Sequence, residues 1–259
     1  MTKSTNQDFD KATGLQQEET CCPVVELRQY TLHPGKREAL IELFDREFVE
    51  SQELLGMNVL AQFRDLENAN RFVWLRGFRG MSERAEGLQA FYTGPVWKAH
   101  REAANATMID SDNVLLLRPA RPRSGLLLGK RPPPGAITVP KGLVVATIYY
   151  LDNPADDDFI EFFEGQLKPA LMDTGVSILG YFVTEDSANN FPALPVREGE
   201  NVFIWFSCFQ DQAAYADHQA ALANLPLWTA EVSEALARRL IKEPEILKLS
   251  PTARSQLCC

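Results

Sequence analysis

The chain has 259 residues, 45% of them hydrophobic and 24% charged, enough for one large domain or two small ones and unlike a disordered, collagenous or coiled-coil protein. Its 26 Lys and Arg against 35 Asp and Glu give a net charge of -9. That sign is wrong for holding a phosphate backbone without a compact basic patch, so nucleic acid is not an expected partner. No run approaches the ~18 apolar residues of a membrane span, and residues 1–20 lack the apolar centre of a secretory signal. A cytoplasmic chain with a mobile polar leader over residues 1–22 is the expectation.

From Pro23 the pattern is strand, helix, strand, strand, helix, strand. Val24 to Leu32 alternates and ends at the turn His33-Pro34-Gly35. Leu40, Phe44 and Phe48 then recur at helical spacing, and Gly56 closes the helix. Gly56 to Arg64 and Arg71 to Phe78 read as a hairpin, and a helical stretch from Ser82 to about Met108, broken at Gly94-Pro95, leads to a strand over Asn113 to Arg118.

The same text follows again. Val25, Phe44, Gly56 and Phe63 match Val144, Phe163, Gly175 and Phe182 at an offset of 119, and Phe72, Trp74, Phe78, Pro95 and Trp97 match Phe203, Trp205, Phe209, Pro226 and Trp228 at an offset of 131. The difference of 12 residues places an insertion in the second hairpin, within Asp186 to Gly199. Each copy is a βαββαβ unit, the pattern of a ferredoxin-like sheet covered by helices on one face, in the α+β class. Two such units can bury their free faces against each other and close a barrel. The expected organisation is a leader (1–22), a first repeat (23–119), a Pro- and Arg-rich linker (120–142) running over the surface with solvated basic residues, a diverged second repeat (143–249) and a C-terminal tail (250–259).

The opening strand Val25-Glu26-Leu27-Arg28-Gln29-Tyr30-Thr31-Leu32 with Pro34-Gly35 behind it, Gly77-Phe78, Pro95-Val96-Trp97 and the run Asp112 to Pro119 resemble the NIPSNAP family of the dimeric α/β-barrel superfamily. The resemblance is concentrated in the first repeat; in the second, Leu151-Asp152-Asn153-Pro154 stands in place of the Leu32-His33-Pro34-Gly35 turn. It implies two tandem units forming a dimeric-α/β-barrel-type fold within one chain. Its bearing on function is weak, because a fold does not transmit an activity.

Alternation places Glu26, Arg28 and Tyr30 on one face of the first strand, and Trp74 and Arg76 on the matching face of the third. With Val25, Leu27, Val73 and Leu75 assigned to the helices, the polar set points into the barrel. The equivalent positions of the second copy hold Val145, Thr147, Tyr149, Trp205 and Ser207. A carboxylate and two guanidiniums out of water form either a paired structural network or a site for an anion. In the second case Arg28, Arg76 and Trp74 bind a small anionic, aromatic or enolisable ligand, Glu26 takes a proton and Tyr30 orients or donates one, without an organic cofactor. The alternative is a non-catalytic ligand-binding or interaction module, and self-association is open in either case.

His33, His100 and His218 are isolated and read as ordinary turn or half-buried histidines, so no metal site is expected. Cys21-Cys22 and Cys258-Cys259 read as reduced thiols on mobile ends that add little stability, and Cys208 as a core residue.

Overall fold

The computed structural model describes residues 22–226 and 228–258, apart from the side chains of 229 and 230. Most of the expected leader, including Cys21, lies outside the described residues, as does Cys259. Strand β1 is Val24–Leu32; a helix follows as α1 (Arg37–Leu43), a π turn (Phe44–Phe48) and α2 (Val49–Glu53), with Leu40, Phe44 and Phe48 on its buried face. Gly56 takes a positive φ of 81°, which only glycine adopts without strain, and turns the chain into β2 (Asn58–Asp65). Strand β3 (Arg71–Phe78) completes the hairpin. Helices α3 (Met81–Thr93) and α4 (Pro95–Asn105) are split at Gly94-Pro95, as Pro at a helix start requires. The short β4 (Met108–Asp110) and β5 (Val114–Pro119) end the first repeat.

The second repeat runs β6 (Leu143–Tyr150), α5 (Asp157–Phe162), a π turn (Phe163–Leu167), α6 (Lys168–Met172), β7 (Ser177–Thr184), β8 (Val202–Phe209), α7 (Gln212–Ala223), a π turn (Trp228–Val232), α8 (Ser233–Ala237) and β9 (Glu245–Pro251). The duplication extends to irregularities. The first π turn of each repeat begins at Phe44 and Phe163, and the β-bulges fall at Val59/Ala61 and Ile178/Gly180, each pair 119 residues apart. Register agrees: Arg28 faces Trp74 across β1–β3, and Thr147 faces Trp205 across β6–β8.

The strands form one antiparallel barrel in the order β3-β2-β9-β6-β8-β7-β5-β1, closed by β1–β3, with β4 beside β1. The last strand of each repeat joins the two: β5 pairs with β7, and β9 with β2. Full closure leaves no open edge in this ring.

The barrel interior holds an apolar cluster. Val25 and Leu27, Val73 and Leu75, Val144 and Ala146, Ile204 and Phe206, and Leu247 and Leu249 meet there in one cluster. The expected assignment of faces is therefore reversed: the apolar residues fill the barrel, and Glu26, Arg28, Tyr30, Trp74 and Arg76 face the helices. The reason is physical. The barrel interior presents apolar side chains of the strands, the linker and the tail, whereas the sheet–helix layer can bring polar side chains from the helices to meet the charges.

Three segments expected outside the core add to it. Leu126 of the linker, Leu257 near the C-terminus and Cys22 all join the barrel cluster, at 5%, 2% and 1% exposure. Linker and tail hold each other through Gly129 N to Gln256 O (3.1 Å) and Gln256 Nε2 to Gly129 O (3.1 Å). Arg131 is no solvated linker residue: it donates to Glu53 (2.5 Å), to the carbonyl of Arg254 (3.0 Å) and to that of Val59. Cys208 is half-buried and disulfide-bonded, not a free core thiol, while Cys258 is exposed.

Cys22 explains a glycine. A Cβ on Gly77 would lie 2.5 Å from Cys22 Sγ and 2.6 Å from its Cβ, and the latter is fixed to the backbone. Gly77→Ala is expected to destabilise by about 1–3 kcal/mol through overpacking, measured by urea unfolding. Cys22→Gly in the same chain should recover much of that loss; no recovery would mean that the clash lies elsewhere.

Candidate functional site

Between the first sheet and its helices, four charged side chains meet with essentially no solvent exposure: Glu26, Arg28, Arg76 and Arg84. Glu26 and Arg76 are direct cross-strand partners on β1 and β3, and Arg28 is two residues along the same face. Glu26 Oε2 accepts from Arg28 Nη1 (2.8 Å) and from Arg76 Nη2 (2.7 Å) and Nε (3.1 Å), while Oε1 accepts from Arg84 Nε (2.8 Å). Arg84 comes from α3, on the helical face it shares with buried Leu88 and Phe91. From α2, Gln52 Oε1 accepts from Arg76 Nη1 (2.9 Å).

Burial alone would raise the Glu26 pKa, but the charges of Arg76, Arg28 and Arg84 outweigh it and hold the carboxyl far below the usual carboxylate range. This corrects the role expected for Glu26. A carboxylate already accepting from three guanidiniums does not take a proton near neutral pH; it organises the arginines.

Among the described residues, the ion pairs of Arg28, Arg76 and Arg84 all go to Glu26. Three guanidiniums against one carboxylate leave two positive charges in a layer without water-facing surface. Part of this charge lies on aromatic faces: the Arg76 and Arg28 guanidiniums sit 5.1 and 5.6 Å from the Trp74 ring centroid. Burial lowers the Arg84 pKa, opposed by Glu26. The Arg84 Nη2 and Trp74 Nε1 groups are buried without a hydrogen-bond partner among the described residues.

Beside this cluster lies a cavity of about 30 Å³ lined by aromatic rings, including Phe44, Phe48, Tyr92 and Trp97, and by Tyr30, Gln52 and Trp74. The last three couple cavity to charge. Tyr30 Oη accepts from Arg28 Nε (3.0 Å), and burial raises the Tyr30 pKa against the opposing pull of Arg28, so the phenol keeps its proton to donate. Gln52 and Trp74 contact the arginines as described above. Of the residues expected at a site, Glu26, Arg28, Tyr30, Trp74 and Arg76 are thus together.

The β7–β8 loop of the second repeat covers the same region. Asn189 Oδ1 and Asn190 Oδ1 accept from Arg84 Nη1 at 3.1 and 2.8 Å. Phe191 stacks on Tyr92 with centroids 6.1 Å apart. Arg84, Gln52 and the two asparagines were not among the sequence candidates. In the second repeat, Val145, Tyr149 and Trp205 at the equivalent positions pack with Phe163 and Phe203 into an aromatic core.

The histidines take no part. His33 is exposed, half-buried His100 lies 3.4 Å from Glu47 Oε2 and meets the Phe48 ring edge-on at 6.4 Å between centroids, and buried His218 meets Thr174 Oγ1 at 2.5 Å in the second repeat. No cluster of metal-ligating side chains occurs among the described residues. No described helix is long and apolar enough to cross a membrane.

No curated relative matches the chain. Its fold is similar to that of a Fusobacterium nucleatum protein provisionally named a monooxygenase, with a TM-score of 0.56 at 10% identity over 89% of this chain and 93% of that one. A dye-decolorizing peroxidase of Bacteroides thetaiotaomicron gives 0.52 at 9% identity over 90% and 93%. An uncharacterized NIPSNAP domain protein of Burkholderia xenovorans is 18% identical over 38% of this chain and 94% of its own, with a TM-score of 0.35. The model of the NIPSNAP family matches residues 25–122, the segment that contributes Glu26, Arg28, Tyr30, Trp74, Arg76 and Arg84. The first repeat is therefore the part of the chain that matches the NIPSNAP family model.

Proposed function

We propose that the first repeat binds a small anionic or enolisable molecule between its sheet and its helices, with Arg28 and Arg76 supplying the positive field, Trp74 a ring face and Tyr30 a proton or a hydrogen bond. The observation that carries this is the charge imbalance, three buried guanidiniums to one carboxylate, beside an aromatic cavity. A fold does not need such an imbalance. The second repeat builds the same sheet–helix layer with Val145, Thr147 and Ser207 at the corresponding places.

Conversion of the ligand by cofactor-free acid/base or oxygenase chemistry is part of the proposal only as far as the residues support it. Arg28 and Tyr30 can stabilise a developing enolate or phenolate oxygen. Because Glu26 is saturated by the arginines, proton abstraction would have to be performed by the ligand's own basic group or by solvent. That saturation favours the second reading, a non-catalytic ligand-binding module. The proposal includes a cytoplasmic location and self-association of the chain, and the binding chemistry depends on neither.

The test is calorimetric titration of the full chain with benzoate and with phenol, repeated on Arg28→Met and Arg76→Leu. Loss of a charge-assisted hydrogen bond in a desolvated site should weaken benzoate by about 1.5–3 kcal/mol, roughly ten- to a hundredfold. If neither small carboxylates nor phenols bind with an affinity that depends on Arg28 or Arg76, the cluster is a structural network and the proposal fails.

A further inference from the structure

We infer that the small aromatic cavity beside the charged cluster is a halide site, with chloride as its occupant. The inference deepens the binding role proposed above and rests on its positive field, not on its organic ligand. Two buried donors carry it. Tyr30 and Trp74 both line the cavity, at 7% and 2% exposure. Trp74 Nε1 has no hydrogen-bond partner among the described residues. Tyr30 Oη accepts from Arg28 Nε at 3.0 Å, which uses a lone pair and leaves its own hydrogen undonated among the described residues. The third buried polar group of the wall, Gln52, is already engaged: Oε1 accepts from Arg76 Nη1, and Nε2 donates to Phe48 O, each at 2.9 Å. What the buried wall has left to offer is therefore hydrogens, and a hydrogen held away from water needs an acceptor.

Charge decides between an anion and a neutral acceptor. Arg28, Arg76 and Arg84 exceed their shared partner Glu26 by two positive charges, and both wall residues stand against them. The Arg28 and Arg76 guanidiniums lie 5.6 and 5.1 Å from the Trp74 ring centroid, and Tyr30 is bonded to Arg28. A water takes the two hydrogens and leaves the excess as it is, whereas an anion takes them and lowers the excess to one. Size then decides which anion. The cavity holds about 30 Å³, room for about one water-sized particle, so a halide fits where a polyatomic anion requires the wall to move. Glu26 keeps its bonds to all three arginines, so the ion adds to the carboxylate and does not replace it. The second repeat supplies a control. Trp205, the counterpart of Trp74, also has Nε1 without a partner, but Val145, Thr147 and Ser207 stand where the first repeat has its charges.

Diffraction from crystals of the full chain in bromide tests this directly. An anomalous bromine peak is expected in the cavity between Tyr30 and Trp74, and none beside Trp205. In solution, replacing gluconate by chloride from about 10 to about 500 mM at constant ionic strength should raise the melting temperature by at least about 2 °C, as mass action on one site requires. Gluconate is too large for the cavity, and constant ionic strength keeps screening equal at both ends. Tyr30→Phe and Trp74→Phe each remove one hydrogen and keep a ring, and each should at least halve the chloride shift, whatever its own melting temperature. A cavity without a bromine peak overturns the inference, as does a smaller shift in the parent or a shift undiminished in both variants. An equal peak beside Trp205 overturns it too, since the charges would then not be the cause. The two readings fail separately: bromide in the cavity without benzoate binding sustains the halide site and sinks the organic ligand, and benzoate binding without bromide does the reverse.

Discussion

Glu26→Gln should destabilise the protein by about 3–5 kcal/mol, the range seen when one partner of a buried ion pair is removed and the other is left behind. Here three guanidiniums would be left behind, all with essentially no exposure, and the net charge of the layer would rise from two to three. Arg28→Met acts in the opposite direction on charge, leaving Glu26 with Arg76 and Arg84 and lowering the excess to one. It should therefore cost clearly less than Glu26→Gln, although Tyr30 Oη loses the Arg28 Nε donor. Combining the two restores the parent's excess of two, so the double variant should be more stable than Glu26→Gln alone. Urea unfolding of the three variants measures this order. If Glu26→Gln costs under about 1 kcal/mol, the arginines have a counter-ion other than Glu26, and the account of the cluster is wrong.

Acid makes the same point with a fixed sign. In the unfolded chain Glu26 titrates near its ordinary value of 4.5, while in the fold the arginines hold it well below. The folded state thus binds fewer protons, so the stability due to Glu26 is complete above about pH 4.5 and drains as the pH falls toward the folded value. Glu26→Gln lacks this contribution at every pH. The gap in melting temperature between parent and variant should therefore be widest near pH 6 and narrow toward pH 3; a gap that widens in acid would contradict the depressed titration.

The duplication was legible because it is written in large residues at fixed spacing. Trp74 and Trp205, and Phe44 and Phe163, keep their offsets down to the π turns and bulges that surround them. The orientation of the sheet was not. Alternation says that Glu26, Arg28 and Tyr30 share a face, but both faces of β1 are buried, and period two does not tell helices from barrel interior. Arg84 carried a signal that could have been used: it stands four and seven residues before Leu88 and Phe91, on the apolar stripe of a helix, where a guanidinium needs a buried carboxylate. Glu26, outnumbered by arginines on its own strands, was the available partner. Gln52 stands in the same way four residues after Phe48. Asn189 and Asn190 carried no such signal. They lie 105 and 106 residues from Arg84, in an insertion whose composition marks a loop, and only the closure of the barrel brings them there. The burial of Leu126 and Leu257 was hidden for a related reason, since Leu126 opens a run of three leucines in a Pro-rich linker and Leu257 stands alone in a short tail, and neither shows a periodicity.

Those two leucines carry the second large effect. Each is buried in the barrel cluster, so Leu126→Ala and Leu257→Ala should each destabilise by about 2–5 kcal/mol, the transfer loss plus the cavity left behind. The segments that deliver them are not independent. Gly129 and Gln256 exchange two hydrogen bonds between linker and tail, and Arg131 donates to the Arg254 carbonyl at 3.0 Å. Arg254, in turn, pairs with Glu50 and donates to Asp45 O at 2.7 Å, so the tail is anchored to the helix that follows β1. Loosening either segment weakens the hold on the other. The double variant should then lose less than the sum of the single losses, by about 0.5–3 kcal/mol, as coupled sites do. Chevron or equilibrium unfolding of the two single variants and the double provides the cycle. Additivity within about 0.5 kcal/mol would show that linker and tail dock separately, each held by its own leucine, and that the backbone exchange between Gly129 and Gln256 contributes little to closing the barrel.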